Sequence, residues 1–244
     1  MLFFAHYYLY KILLFKFNLN KAMLKQTYFD FFEELSKNND REWFTANKKR
    51  YEKEAKEPFI ALVEAIVESL HNTEPDLSLI PAKQMLFRIN RDIRFSKDKR
   101  PYKEHMSASI GRFGTKDKIY PGHYMHIAPN ETFIAGGAYW FEEKTMLYRV
   151  RNFIAQYPER FTELIDNQAF KSKFGEIKGE KNKRIPPEFV EDVKRQPLIA
   201  NTQFYWSIAL NPKDALKPNF VEILRGYFES AQPLNNFLIE AMYD

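Results

Sequence analysis

The period of the apolar positions changes along the chain and divides it into helical, extended and again helical stretches. Phe29, Phe32 and Leu35 recur every three residues, on one face of a short helix for which Thr27 is the N-cap candidate. Asn38-Asn39-Asp40 ends that helix and caps the next, because short polar side chains bond the local backbone. From Arg41 to about His71, Phe59, Leu62, Val63, Ile66, Val67 and Leu70 follow the series of an amphipathic helix. Pro58 divides this stretch into two helices and sits in the first turn of the second. Trp43, Phe44 and Tyr51 are spaced one and two turns apart and read as core.

From about Gln84 to Trp140, five of the eight glycines punctuate short runs of β-branched and aromatic residues. The pattern predicts strands near 85–94, 106–113, 121–128 and 132–139, joined by turns and therefore mostly antiparallel. Helical spacing returns with Met146, Leu147, Val150, Phe153 and Ile154, then with Phe161, Leu164 and Ile165. A polar stretch runs from Lys171 to Arg184, and Thr202–Leu210 adds a strand. Phe220, Ile223, Leu224, Tyr227 and Phe228, then Phe237 and Leu238 after Pro233, predict one or two closing helices. The expected architecture is α+β: a mostly antiparallel sheet over about 85–140, extended by 202–210, packed with N-terminal and C-terminal helices.

Composition narrows the function classes. Residues 1–22 contain no acid, Gly, Pro, Ser or Thr, and almost all are Phe, Tyr, Leu, Lys, Ile, Asn or Met, residues of A/T-rich codons. They read as a non-native extension before a true start at Met23, leaving 23–244 as a single domain. Lys11 and Lys16 interrupt the apolar run before it reaches the roughly 18–20 residues of a membrane span, so no membrane association is expected. With no cysteine, disulfides, thiolate metal sites and Cys nucleophiles are excluded. Walker A, GxGxxG and GxSxG patterns are absent, so no common nucleotide or serine-hydrolase signature supports a function, and no cofactor is indicated.

Net charge is +5, and its location matters more than its size. Arg88, Arg91, Arg94, Lys97, Lys99, Arg100 and Lys103 are opposed within their own segment only by Asp92 and Asp98, so this stretch holds the whole surplus. On a strand, Arg88, Asn90, Asp92 and Arg94 share one face, and Phe87, Ile89, Ile93 and Phe95 the other, with Arg91 among them. An arginine on an apolar face must pair, snorkel or reach a ligand. The segment therefore reads as a salt-bridge ladder, as an anion site built on guanidinium forks, or as a nucleic-acid contact. Lys97, Lys99 and Arg100 lie on a polar loop ended by Pro101, with Tyr102 and Lys103 behind it, and are placed to close over a bound anion.

His105, His123 and His126 fall in the extended region. His123 and His126 are three apart, hence on opposite strand faces, and no HExxH or Cys/His pattern supports a metal, so none is expected. His126 shares its face with Tyr124 and, with Asp92, is the acid–base candidate; a hydrogen-bonded structural histidine is the competing reading. Gly136-Gly137 either brings backbone N–H groups to a ligand or marks tight packing or a bulge.

NNDREWF (38–44), RINRDIRFSKDKRPYK (88–103), PGHYMHIAP (121–129) and GGAYW (136–140) together resemble the bacterial family catalogued as domain of unknown function 2461. The likeness runs from about Thr27 to the C-terminus and includes PNFVEILRGYFESAQPLNNFL. One departure is Ala138, where the family often carries a third glycine. The resemblance implies a compact cytoplasmic bacterial domain and brings no established activity. The expected function is a pocket, binding or enzymatic, for a phosphorylated or carboxylated small molecule. Arg88, Asn90, Arg91, Arg94, Lys97, Lys99, Arg100, Tyr102, Lys103 and Tyr124 are the ligand-binding candidates. A nucleic-acid-binding module and a structural or partner-binding domain braced by its arginines are the alternatives.

Overall fold

A computed structural model describes residues 23–117 and 119–243; the expected extension 1–22 lies outside the described residues. The chain opens with α1 (Gln26–Lys37), α2 (Arg41–Ala46) and the single turn α3 (Lys48–Arg50). A wider π turn over Tyr51–Lys56 leads from there directly into α4 (Glu57–Ser69). Two expectations change here. Thr27 is not the N-cap: α1 starts at Gln26 after Lys25, with no side-chain cap. Pro58 does not break the helix. It cannot donate to the carbonyl one turn back, and the π turn before it accommodates the missing bond without interrupting the chain's direction. Asp40 does cap α2, its carboxylate accepting from the Trp43 N–H at 2.9 Å.

Four strands follow the order β1 (Met106–Ile110), β2 (Gly122–Ile127), β3 (Thr132–Ala138) and β4 (Phe204–Leu210), antiparallel throughout. The sheet and the helices at both ends make the α+β fold that the apolar pattern predicts. Between β3 and β4 the chain forms α5 (Lys144–Gln156), α6 (Pro158–Asp166), α7 (Gln168–Phe174) and α8 (Val190–Arg195). It ends in one long helix, α9 (Phe220–Tyr243), which runs through Pro233. The polar stretch after α7 is not free loop: bridges Lys178↔Tyr205 and Lys181↔Asn201 cover the outer edge of β4.

The expected strand at 85–94 is instead half of an irregular ribbon along the β1 edge. Leu86 bridges Ala108 and Asn90 bridges Tyr102, while Arg91 N–H donates to Pro101 O at 2.9 Å and Lys103 N–H to Ile89 O at 2.8 Å. Only isolated bridges form, so the alternation read from the sequence holds in part. Ile89 is buried, whereas Phe95, placed by the pattern on the apolar side, is 94% exposed at the turn of the ribbon.

Strand register divides the sheet residues between two faces. Met106, Ala108, Ile110, Met125, Ile127, Ile134, Ala138, Phe204 and Trp206 are buried on the first, against which α1, α4, α7 and α9 pack. Tyr28 of α1, fully buried, donates its hydroxyl to Ile127 O at 2.9 Å and accepts from Met106 N–H at 3.3 Å, tying helix and sheet together. Gly136 lies opposite Trp206, and a methyl group on it would overlap the indole. Gly137 has φ +96°, and any side chain there would meet the Phe204 carbonyl. The glycine pair is thus required by packing around Trp206 and β4.

Candidate functional site

The second face of the sheet carries Ser107 and Ser109 from β1, Tyr124 and His126 from β2, Phe133, Ala135 and Gly137 from β3, and Tyr205 and Ser207 from β4. The registers Ser109↔Tyr124, Tyr124↔Ala135 and Ala135↔Ser207 set these in a row across the strands. Small side chains at 109, 135, 137 and 207 make a low floor, and Phe87, Tyr124, Phe133, Tyr139 and Tyr205 stand around it. The result is a cleft of about 500 Å³, the size of a small-molecule site and lined by the aromatic and small polar groups that such sites use. Tyr139 and Tyr205 meet edge to face with centroids 5.1 Å apart, closing one wall.

One end of the cleft holds a compact polar cluster. Tyr124 lines the cleft, and its hydroxyl lies 3.4 Å from His126 Nδ1. The His126 ring stacks on Phe133 at 4.8 Å and meets His105 with centroids 3.8 Å apart. Burial pushes the His126 imidazole below its ordinary range, opposed by the nearby Glu131 charge and assisted by Lys103. Burial also lowers His105, to about 3, with the His126 and Lys103 charges acting in the same direction. Both rings are therefore neutral at neutral pH. The Tyr124 phenol moves the other way: burial raises it, with a hydrogen bond from Ser107 opposing the shift. A neutral imidazole facing a protonated phenol is a proton acceptor beside a donor.

His123 points to the other face and has a different role. It is buried, its Nε2 lies 2.8 Å from Glu74 Oε1, and its ring stacks on Phe228 at 4.4 Å. The expected separation of His123 from His126 across the strand is what the register produces. Among the described residues no group of three His, Asp or Glu side chains is placed to hold a metal ion.

Three arginines of the segment pair with acids in or beside it. Asp98 accepts from Arg91 Nη1 at 2.8 Å and from Arg100 Nη2 at 2.8 Å, and Arg100 also reaches Glu104 at 2.6 Å. These arginines hold the Asp98 carboxyl well below the usual carboxylate range. Asp92 pairs with Arg94 at 2.7 Å, and that guanidinium lowers its carboxyl likewise. Lys99 donates to Ile93 O at 3.0 Å, and Lys97 is exposed near the ribbon tip. Arg91, the cation expected on an apolar face, thus finds its partner within the ribbon.

Asp92 and His126 do not form an acid–base pair. Asp92 is committed to Arg94 on the exposed ribbon, whereas His126 pairs with Ser107 in the sheet and faces Tyr124. Of the candidates read from the sequence, Tyr124 and His126 meet at the cleft. Lys103 stands beside them, its Nζ 5.3 Å from the Phe87 ring. Arg88, Asn90 and Tyr102 line a separate groove against the helices, together with Phe44, Thr45, Lys48 and Lys83. Arg91, Arg94, Lys97, Lys99 and Arg100 belong to the ribbon and its tip. Phe133, Tyr205 and Ser207 were not singled out in the sequence. Alternation marks which side of their own strands they occupy, but joining them to Tyr124 needs the cross-strand register.

An α+β domain whose sheet has helices on one face and a ligand-sized cleft on the other is the class these features define. The chain belongs to the family of conserved hypothetical proteins DUF2461, whose model matches residues 27–237. No curated protein and no solved structure matches it. No described helix is long and apolar enough to cross a membrane.

Proposed function

We propose that the cleft on the second face of the sheet binds a small ring-bearing molecule, and that Tyr124 and His126 hold and move a proton on it. The observation that carries this reading is the double position of Tyr124, whose ring forms the cleft wall while its hydroxyl lies 3.4 Å from His126 Nδ1. The aromatic walls favour a flat or cyclic group, and the serine and tyrosine hydroxyls supply orienting hydrogen bonds. The self-paired arginines of the ribbon leave it a bracing role at the sheet edge.

The test is a thermal-shift panel of nucleosides, sugars and heteroaromatic acids on the whole chain, with two variants. Ala135→Leu fills the cleft floor without entering the core, because residue 135 faces away from Met125 and Ile134. It should abolish the ligand-induced shift while the unliganded protein still melts cooperatively. His126→Gln should retain the shift and remove the pH dependence of binding, because His126 is the group of the pair that titrates below neutrality. A ligand shift that is the same in Ala135→Leu as in the parent sinks the assignment of the cleft.

A further inference from the structure

The two charge-dense sequence motifs, 38–54 and 88–103, meet beside the ribbon, with Phe87 standing between their meeting place and the cleft. Their meeting place is a groove of about 510 Å³ between the α2–α4 helical arm and the ribbon. Phe44 and Tyr102 stack across it with centroids 4.0 Å apart and planes inclined by 20°. Four cations line it, Lys48, Lys56, Lys83 and Arg88, against one carboxylate, Glu52. Glu52 is already committed to Lys56, whose Nζ it accepts from with both oxygens, at 2.8 and 2.9 Å. Among the described residues, Lys48, Lys83 and Arg88 have no carboxylate within 4.0 Å, the Arg88 charge reaching Asp92 only at longer range. That contrasts with Arg91, Arg94 and Arg100 of the same ribbon, each of which is paired. Three cations without a carboxylate in ion-pair range are therefore gathered around this concavity, Arg88 from the ribbon and Lys48 and Lys83 from outside it.

We propose that this groove is a second ligand site, independent of the sheet cleft, for a phosphate-bearing small molecule. Three cations without acid partners around one concavity suit a multiply charged anion. A single carboxylate would leave most of that charge uncompensated. Arg88 brings a planar fork to adjacent phosphate oxygens, and Lys48 and Lys83 act as point charges on either side. The wall behind them is fixed in advance. Asn39 bonds both backbone groups of Tyr102, and Asn90 bridges Tyr102 across the ribbon. The groove thus has its shape before a ligand arrives, which lowers the ordering cost of binding. An extended nucleic-acid strand fits less well, because it needs a basic stripe to track its backbone, and the neighbouring arginines are compensated.

The experiment is titration calorimetry of the whole chain with inorganic pyrophosphate at low, constant ionic strength. Acetate and a single-stranded DNA oligonucleotide serve as comparison ligands, and Lys83→Gln, Arg88→Gln and Lys97→Gln as variants. Pyrophosphate should bind and acetate should not. Lys83→Gln and Arg88→Gln should each weaken pyrophosphate roughly tenfold, the usual cost of losing a charge-assisted hydrogen bond. Lys97→Gln, outside the groove, should leave the affinity unchanged. If Arg88→Gln does not fold, Lys83→Gln carries the test, because that side chain is exposed. Three outcomes would overturn the proposal: no binding of pyrophosphate, equal weakening by Lys97→Gln, or binding of the oligonucleotide alone. Ala135→Leu should bind pyrophosphate as the parent does, so failure of the cleft reading and failure of this one are separable.

Discussion

The side-chain amide of Asn39 closes a ring of two hydrogen bonds with the backbone of Tyr102, donating to its carbonyl and accepting from its N–H, both at 3.1 Å. The same Nδ2 lies 3.0 Å from Glu104 Oε1, which in turn holds Arg100. One residue between two helices thus anchors the base of the ribbon, 63 positions away in the chain. The Asn-Asn-Asp segment therefore does two jobs: Asp40 caps α2 and Asn39 docks the arginine ribbon.

Asn39→Ala should leave the Tyr102 backbone groups without their partner. At about 1–3 kcal/mol for a partly buried donor or acceptor left unpaired, the loss should be plain in urea denaturation. Asn39→Asp should recover only part of it, because a carboxylate accepts from the N–H and cannot donate to the carbonyl. Equal stability of Asn39→Ala and the parent would remove the anchoring role.

Gly136→Ala should be far more damaging than a surface Gly→Ala change. The added methyl overlaps Trp206, which is fully buried, so strand or indole must shift. Overpacking of this kind costs about 1–3 kcal/mol. Pairing it with Trp206→Phe, which removes the overlapping ring edge, should cost less than the sum of the single changes in a double-mutant cycle.

Stability should fall as the solution is acidified from about pH 6.5 towards pH 4. The native pKa of His105 lies near 3, and that of His126 is also lowered by burial, so between these values and the ordinary 6.5 the unfolded chain binds more protons than the folded one. The sign follows directly: stability is full above the unfolded pKa and is lost as pH falls through the window. His105→Gln should flatten this slope, measured by urea unfolding at a series of pH values. The carboxyls whose pKa values are lowered by arginine partners, Asp98, Asp92, Glu34 and Glu240, act in the same direction below about pH 5 and leave the part of the window above that to the histidines.

Asp98→Asn should loosen the ribbon without unfolding the domain. Asp98 organises Arg91 and Arg100 at an exposed turn, where ion pairs add little to global stability. Hydrogen exchange of the backbone amides at 91–103 should accelerate, while the main melting transition stays in place. A lowered global melting temperature with unchanged local exchange would contradict this division.

Amino-acid order by itself determined the α+β class, most element positions, the opposite facing of His123 and His126, and the confinement of the charge surplus to 88–103. All of these follow from local rules: a period of 3.6 or 2, glycine and proline punctuation, and strict alternation of side chains along a strand. The chain also resembled its family through stretches of contiguous residues, and the family match over 27–237 agrees. Tertiary structure alone decided which arginines remain without acid partners, because Asp98 reaches Arg91 only when the ribbon folds back on itself. It decided that Gly136 serves Trp206, a partner 70 residues away supplied by strand register. It also placed Tyr124 and His126 at the sheet cleft and Arg88 and Tyr102 in a groove of their own. Long-range pairing is a property of packed surfaces rather than of neighbours in sequence, and the site is made almost entirely of such pairs.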